Sequence, residues 1–287
     1  MIENIIPVSA FGELGTRLAV FLGVFSIMAV WELAAPRRKL IFEKKTRWAA
    51  NLAITLFNTM LVRLAAPLAP VVMAVWAKDN QWGLLNYFDI PSWIGIIITL
   101  LILDCAVYLQ HVMFHTLPIL WRLHLVHHAD LDIDVTTGLR FHPLEIILSL
   151  FVKVSVVLLL GPDPVAVIVF EAVLNGTSLF NHANVRMPLA LDRVLRRIVV
   201  TPDMHRVHHS VIIRETNSNF GFNFPWWDRL FGTYRSLPSA GHEGMTIGLS
   251  QYRSFEPRYL RWALILPFIA DPGAYAINRR GIEPEAK

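Results

Sequence analysis

Between Trp93 and Leu109 the chain reads WIGIIITLLILDCAVYL, with Asp104 as its only charged residue. With its flanks, such a run supplies the roughly 20 helical residues needed to cross a hydrocarbon layer of about 30 Å. Lipid offers no partner to peptide N–H and C=O groups, so a run of this kind must be a helix. Residues 18–35 form an earlier apolar stretch, followed at once by PRRKLIFEKKTRW, whose Arg and Lys assign that loop to the cytoplasmic side. Residues 49–76 form a second, with Pro67 and Pro70 as expected kink points. By alternation the Trp93–Leu109 span returns to the cytoplasmic side, where His111 begins a series of histidines.

Further along, 144–160 and 165–180 are apolar and joined by Gly161-Pro162-Asp163-Pro164, a turn signal. They read as an apolar helical hairpin over about 144–181 that brings the chain back to the histidine side at His182. The last apolar segment, YLRWALILPFIADPGAYAI, is broken by Pro267 and Pro272 and reads as an interfacial or re-entrant segment rather than another full span. The expectation is an all-α integral membrane protein, a bundle of about four to five membrane-inserted helices capped by a cytosolic helical domain. Residues 1–110 carry the first membrane helices, 111–253 a histidine-bearing catalytic domain and 254–287 a C-terminal interfacial segment. Glu3 and Glu13 precede the first arginine, Arg17, so the start lacks the basic region of a secretory signal and the first span is expected to be retained.

Composition agrees: 54% of residues are hydrophobic and 17% charged, against about 25% charged in soluble domains. The net charge of +4 is not laid along one amphipathic face with interleaved aromatics, which argues against a nucleic-acid partner. Cys105 is the single cysteine. That excludes an internal disulfide, a cysteine zinc knuckle and a protein-ligated iron-sulfur cluster, so any metal must be held by nitrogen or oxygen.

The histidines supply the nitrogen. His111 and His115 in HVMFH stand four apart on the continuation of the third span, on one helical face. In HLVHH, His124 is followed at i+3 and i+4 by His127 and His128, and TPDMHRVHH repeats that spacing with His205, His208 and His209. Two adjacent rings straddling one helical stripe can reach two different metal ions. Thr201, Pro202 and Asp203 mark the helix start before the second block; Thr116 and Pro118 hint at one before the first. His182, in FNHAN, lies where the hairpin returns. Nine imidazoles exceed what one ion uses, so two ions are expected, with zinc, copper, iron and nickel all compatible with the ligand type. Ionisable residues bunched at a membrane edge mark function.

Neutral ligands leave the ionic charge to be balanced by hydroxide, oxide or outer carboxylates. Asp104, seven residues before His111, and Asp203, two before His205, are candidates to orient a ligand imidazole through its second nitrogen. His142, in RFHP, is a candidate ligand or outer group at the same edge, whereas the isolated His242 reads as an ordinary polar side chain. Three other classes compete. A metal transporter would place its ligands near mid-membrane. A bis-histidine haem protein needs only one histidine on each side of the haem. A zinc-dependent lipid hydrolase needs an open metal position and a base such as Asp203.

The ordered series HVMFH, LWRLHLVHHADLDIDVTTGLRFHP, FNHAN, TPDMHRVHHS and NFGFNFPWWDRLFGTY resembles the fatty acid hydroxylase and sterol desaturase superfamily, in its bacterial form. The resemblance runs from about Asp104 to Tyr234 and rests on highly specific boxes. It implies a non-haem di-iron enzyme in which His111, His115, His124, His127, His128, His205, His208 and His209 bind metal, joined by His182. Some members carry a longer fourth cluster where this chain has only His182 and Asn184. The resemblance also implies dioxygen as co-substrate, hydroxylation or desaturation of a lipid such as a sterol or fatty acyl chain, and two electrons from a separate ferredoxin or cytochrome. Arg196, Arg197 and Arg206 are expected to form a basic docking face for an acidic donor. The expected location is a bacterial inner membrane with the boxes facing the cytoplasm.

Overall fold

The structure, a computed structural model, describes residues 10–88, 90–254 and 259–279; Glu3 and residues 280–287 of the expected C-terminal segment lie outside the described residues. It is all-helical: among the described residues only isolated bridges occur, Pro36 with Val185 and Ser210 with Ile247. Four described helices are long and apolar enough to cross a membrane.

Helix α1 (Ala10–Ala34) contains the first candidate span, Arg17–Ala34. The second apolar stretch does not form one span. It divides into α2 (Lys44–Leu64) and the ten-residue α3 (Pro70–Asp79), separated by a single turn over Ala66–Leu68. Pro67 and Pro70 explain the break: each lacks an amide proton, and Pro70 opens the next helix at its first position. Helix α4 (Ser92–Thr116) runs unbroken past residue 110 and carries both His111 and His115.

A short helix, α5 (Pro118–His128), follows directly, again with proline at its start. The expected hairpin is α6 (Pro143–Leu160) and α7 (Pro164–His182), each of spanning length. Gly161 turns between them with φ 63°, and a Cβ there would lie 2.2 Å from the Trp82 carbonyl oxygen, so only glycine lets this loop pack on its neighbour. The remaining helices are short: α8 (Leu189–Leu195), α9 (Pro202–His208), α10 (Ile213–Thr216), α11 (Trp226–Leu230) and α12 (Gly241–Gly244). Thr201 caps α9 by accepting from the Met204 amide. The C-terminal apolar segment yields α13 (Leu260–Ile269), ten residues long with Pro267 inside it, too short to span.

Two apolar cores set the frame. Val71, Ala74, Leu103, Val107, Val157 and Phe170 pack α3, α4, α6 and α7 together within the bundle. Trp121, Leu125, Leu249, Leu266 and Tyr275 pack α5 beneath α13 and the C-terminal loop. The nine histidines lie on the last turns of α4 and α7, on α5, and on α9 and its end.

Candidate metal centre

Four elements deliver nine imidazoles to one buried place. His111 and His115 come from α4, His124, His127 and His128 from α5, His182 from the last residue of α7, and His205, His208 and His209 from α9 and its end. They fall into two sets whose ligand nitrogens lie within 4.8 Å of one another: His111, His115, His124, His128 and His208, and His127, His182, His205 and His209. Each adjacent pair is divided. His127 and His128 point to different sets, as do His208 and His209, because neighbours on a helix diverge by about 100°. The sets abut, with His128 stacked on His209 at 4.8 Å and 21°.

Second nitrogens fix many of these rings. The Nδ1–H of His111 donates to the Phe220 carbonyl at 2.8 Å, that of His208 to the Ser218 carbonyl at 2.8 Å, and that of His182 to the Ser178 carbonyl at 2.7 Å. His115 donates from Nδ1 to Asn217 Oδ1 at 3.1 Å, and His124 to Glu145 Oε1 at 2.7 Å. In each of these five rings Nε2 is left as a lone pair. The Nε2 atom of His182 lies 3.1 Å from that of His127 and 3.0 Å from that of His205. Such crowding suits donors around a shared cation, since ligands tetrahedral about an ion at about 2.1 Å are roughly 3.4 Å apart.

A cation fits for two further reasons. His115 Nε2, His128 Nε2, His208 Nε2 and both nitrogens of His209 are buried without a hydrogen-bond partner in the protein, a costly state that an ion at one nitrogen of each ring would relieve. Burial above all, and then the neighbouring rings, push His124, His127, His128, His205 and His209 well below the ordinary 6.5. His208 follows the same direction, with burial first and His111 second. Neutral imidazole is the ligand form.

The outer candidates lie elsewhere. Asp104 touches no imidazole; it accepts from the amides of Asn223 and Phe224, each at 3.3 Å, and from Trp227 Nε1 at 2.8 Å, and so ties the 220–227 loop to α4. Asp203 is held by Arg37 at 3.2 Å and by Arg206, and orients none of the nine rings. His142 belongs to neither set: it caps α6 through Nδ1, and its Nε2 meets the Leu264 carbonyl at 3.2 Å. Arg206 is fully buried and Arg196 nearly so, paired with Asp192, so of the expected docking arginines only Arg197 is exposed.

Several contributors have no periodic signature. Glu145 is the one carboxylate bonded to any of the nine among the described residues. Gly138 is required by space: a Cβ would sit 2.5 Å from the Ser178 carbonyl oxygen and 3.0 Å from His182 Nδ1. Phe141 stacks on His127 at 4.5 Å, and Phe222, at 6.1 to 6.4 Å from His111, His182 and His205, looks onto both sets. The alternating DLDIDV is a loop with its charges turned inward. Arg47 pairs there with Asp130 at 2.7 Å and Asp134 at 2.6 Å, while Asp132 accepts from the Ile41 and Phe42 amides at 2.9 Å. Arg140 clasps the end of α5 through the Val126 carbonyl at 2.8 Å.

Fold and site together define a polytopic helical membrane protein with two all-imidazole donor sets buried at one end of its bundle. Residues 96–233 of the chain match the family model of the fatty acid hydroxylases. The chain is 28% identical to an ornithine lipid hydroxylase of Rhizobium tropici over 235 residues, 76% of this chain and 67% of that protein. It is 28% identical to the human alkylglycerol monooxygenase over 60% of this chain and 38% of that protein, and 27% identical to the human cholesterol 25-hydroxylase over 58% and 61%. The chain thus aligns with less than two thirds of the latter two relatives. No solved structure matches the chain.

Proposed function

We propose that the chain hydroxylates a C–H bond of a membrane lipid at a di-iron site: R–H + O2 + 2 e− + 2 H+ → R–OH + H2O. The observation that carries this reading is the division of each HxxHH block between two buried, neutral nitrogen sets at the membrane end of the bundle. An aliphatic C–H bond has neither an acidic proton nor a leaving group, so acid–base or nucleophilic groups alone do not suffice. Two irons would supply the redox steps with dioxygen, a capacity zinc lacks. Removal of a second, adjacent hydrogen would give desaturation at the same site. The named relatives act on an ornithine lipid, an alkylglycerol and a sterol; what they share is a lipid, and that class is the proposal here.

The chain's own residues hold, orient and exclude water. His111, His115, His124, His128 and His208 would hold one ion, and His127, His182, His205 and His209 the other. Glu145, Asn217 and the carbonyls of Ser178, Ser218 and Phe220 fix the rings. Phe141 and Phe222, the latter packed against the apolar core of α3, α4, α6 and α7, shape the approach of the lipid chain. Electrons would come from a ferredoxin or cytochrome on the histidine side, which the basic loop after α1 supports as the cytoplasmic face, in a bacterial inner membrane on this reading. A transporter fits less well, since the donors cluster at one end of the bundle. Asp203, fastened between two arginines, is a poor hydrolytic base.

The test is purified protein in lipid vesicles with a reduced ferredoxin and 18O2, followed by mass spectrometry of the lipids and metal analysis. The expected result is two irons per chain and one 18O per product. Stoichiometric zinc with turnover in the absence of oxygen and reductant would overturn the reading.

A further inference from the structure

Helix α8 is amphipathic in the wrong sense for a protein surrounded by water. Leu191, Val194, Leu195 and Ile198 recur at i, i+3, i+4 and i+7 through α8 and the turn that extends it, the stripe that normally faces a core. Here Leu191, Val194 and Ile198 are 45%, 56% and 58% exposed, while Asp192 is buried, accepting from Thr201 Oγ1 at 2.6 Å and pairing with Arg196. The apolar face points out and the carboxylate in.

A second segment behaves likewise. In α11 and just after it, Trp226, Leu230 and Phe231 are exposed, while Asp228 is buried and accepts from the Phe220 and Gly221 amides at 2.7 and 2.8 Å. The two segments are joined: Trp226 Nε1 donates to the Arg197 carbonyl at 2.7 Å, and Arg229 to the Arg196 carbonyl at 3.0 Å. Their combined surface is apolar with three exposed arginines, Arg193, Arg197 and Arg229, and both of its acids are turned inward. It is continuous with a membrane span, because the Phe231 ring stacks on Tyr108 of α4 at 5.4 Å and 16°. Tyr108 lies eight residues before the end of α4, about 12 Å along its axis toward the membrane.

We propose that the α8–α11 surface is embedded in the headgroup–acyl boundary on the histidine side of the membrane, its arginines binding anionic phospholipid headgroups. An exposed apolar face rimmed by arginine and tryptophan is the composition that lies in such a boundary. The bilayer is the occupant that continuity with α4 selects. The cap is thereby held against the membrane at a second place, independent of the spans.

The experiment places a spin label at V194C, I198C or L230C in a C105S background, with E243C, on the 69% exposed Glu243 side chain, as the aqueous reference. The full chain is reconstituted in nanodiscs of phosphatidylcholine with and without phosphatidylglycerol. At the three test sites the accessibility ratio of oxygen to a water-soluble nickel chelate should exceed that at 243 by about tenfold. It should rise further with phosphatidylglycerol, and that increment should vanish in R193Q/R197Q/R229Q. Ratios equal to that at 243 would overturn the proposal. So would protection from both reagents, the sign of a second copy or protein partner, and so would a depth indifferent to phosphatidylglycerol.

Discussion

The two histidine sets differ in who orients them. In the five-membered set, His111, His115, His124 and His208 each donate from Nδ1 to a fixed acceptor, one of them a buried carboxylate. In the four-membered set only His182 does so, through the Ser178 carbonyl, while His127 Nδ1, His205 Nδ1 and both nitrogens of His209 have no partner in the protein. The fold orients most of the first set through its second nitrogens and leaves most of the second set without that support. Preorganised donors bind more tightly. On the proposed reading, the four-membered set is where coordination would be freest to change.

The widest separation should come from neighbours in sequence. His127→Ala and His128→Ala each remove one donor from a different set, and each should lower activity at least about a hundredfold and bound iron from about two ions per chain toward one. The remaining iron should resist a chelator better in His127→Ala, which leaves the preorganised set intact. Equal chelator sensitivity would break the comparison, and full iron in both variants would remove the metal assignment. Next in size is Glu145→Ala, which should weaken iron binding about 10- to 100-fold, the usual effect of deleting an outer partner. The loss should fall on one ion of the two, and Glu145→Gln, which retains an acceptor oxygen, should lie between. Loss of both ions together would show the sets to be a single unit.

Helical spacing made much of this legible, and its limits are physical. Four apolar helices, the hairpin turn at Gly161 and the proline-initiated α5 and α9 follow from local rules, as does the divergence of adjacent histidines. The second apolar stretch did not, because two prolines three residues apart divide it into pieces with different directions. Outer partners were harder still. Asp104 sits at helical spacing from His111, yet its carboxylate turns to the Asn223 and Phe224 amides, more than a hundred residues away. Glu145 reads locally as an acid in the first turn of α6, where the helix dipole alone would favour it. Its contact with His124 exists only because α5 and α6 pack together. Buried DLDIDV is similar, since its main counter-charge, Arg47, lies 83 residues before Asp130.

Acid should act on both sets. His124, His128 and His208 of one and His127, His205 and His209 of the other are held below 6.5 by burial and neighbouring rings. The unfolded chain therefore binds more protons than the folded one as pH drops below 6.5. Stability of the metal-free protein should be complete above that pH and fall beneath it, by about 1.4 kcal/mol per pH unit for each histidine. Thermal unfolding in detergent across pH 5 to 8, with and without iron, measures this. His209→Asn, which deletes one buried titrating ring of the looser set, should flatten the metal-free slope by about one proton; an unchanged slope would mean His209 is already protonated or solvated there.

The smallest effect should come from Asn217, the neutral counterpart of Glu145 in the same set. Its Oδ1 accepts from His115 and its Nδ2 donates to the Tyr275 carbonyl at 2.8 Å, so it both orients a ring and fastens the C-terminal loop. A neutral acceptor is worth about half a charged one. Asn217→Ala should therefore cost three- to tenfold in iron affinity, about 1 kcal/mol, clearly less than Glu145→Ala. Asn217→Asp separates the two duties: it gives His115 a carboxylate and removes the donor to Tyr275. If orientation by charge sets the strength of this site, Asn217→Asp should hold iron at least as tightly as the parent while its unfolding temperature falls. Weaker iron binding in Asn217→Asp than in Asn217→Ala would show that the anchored loop, not the acceptor on His115, governs the five-membered set.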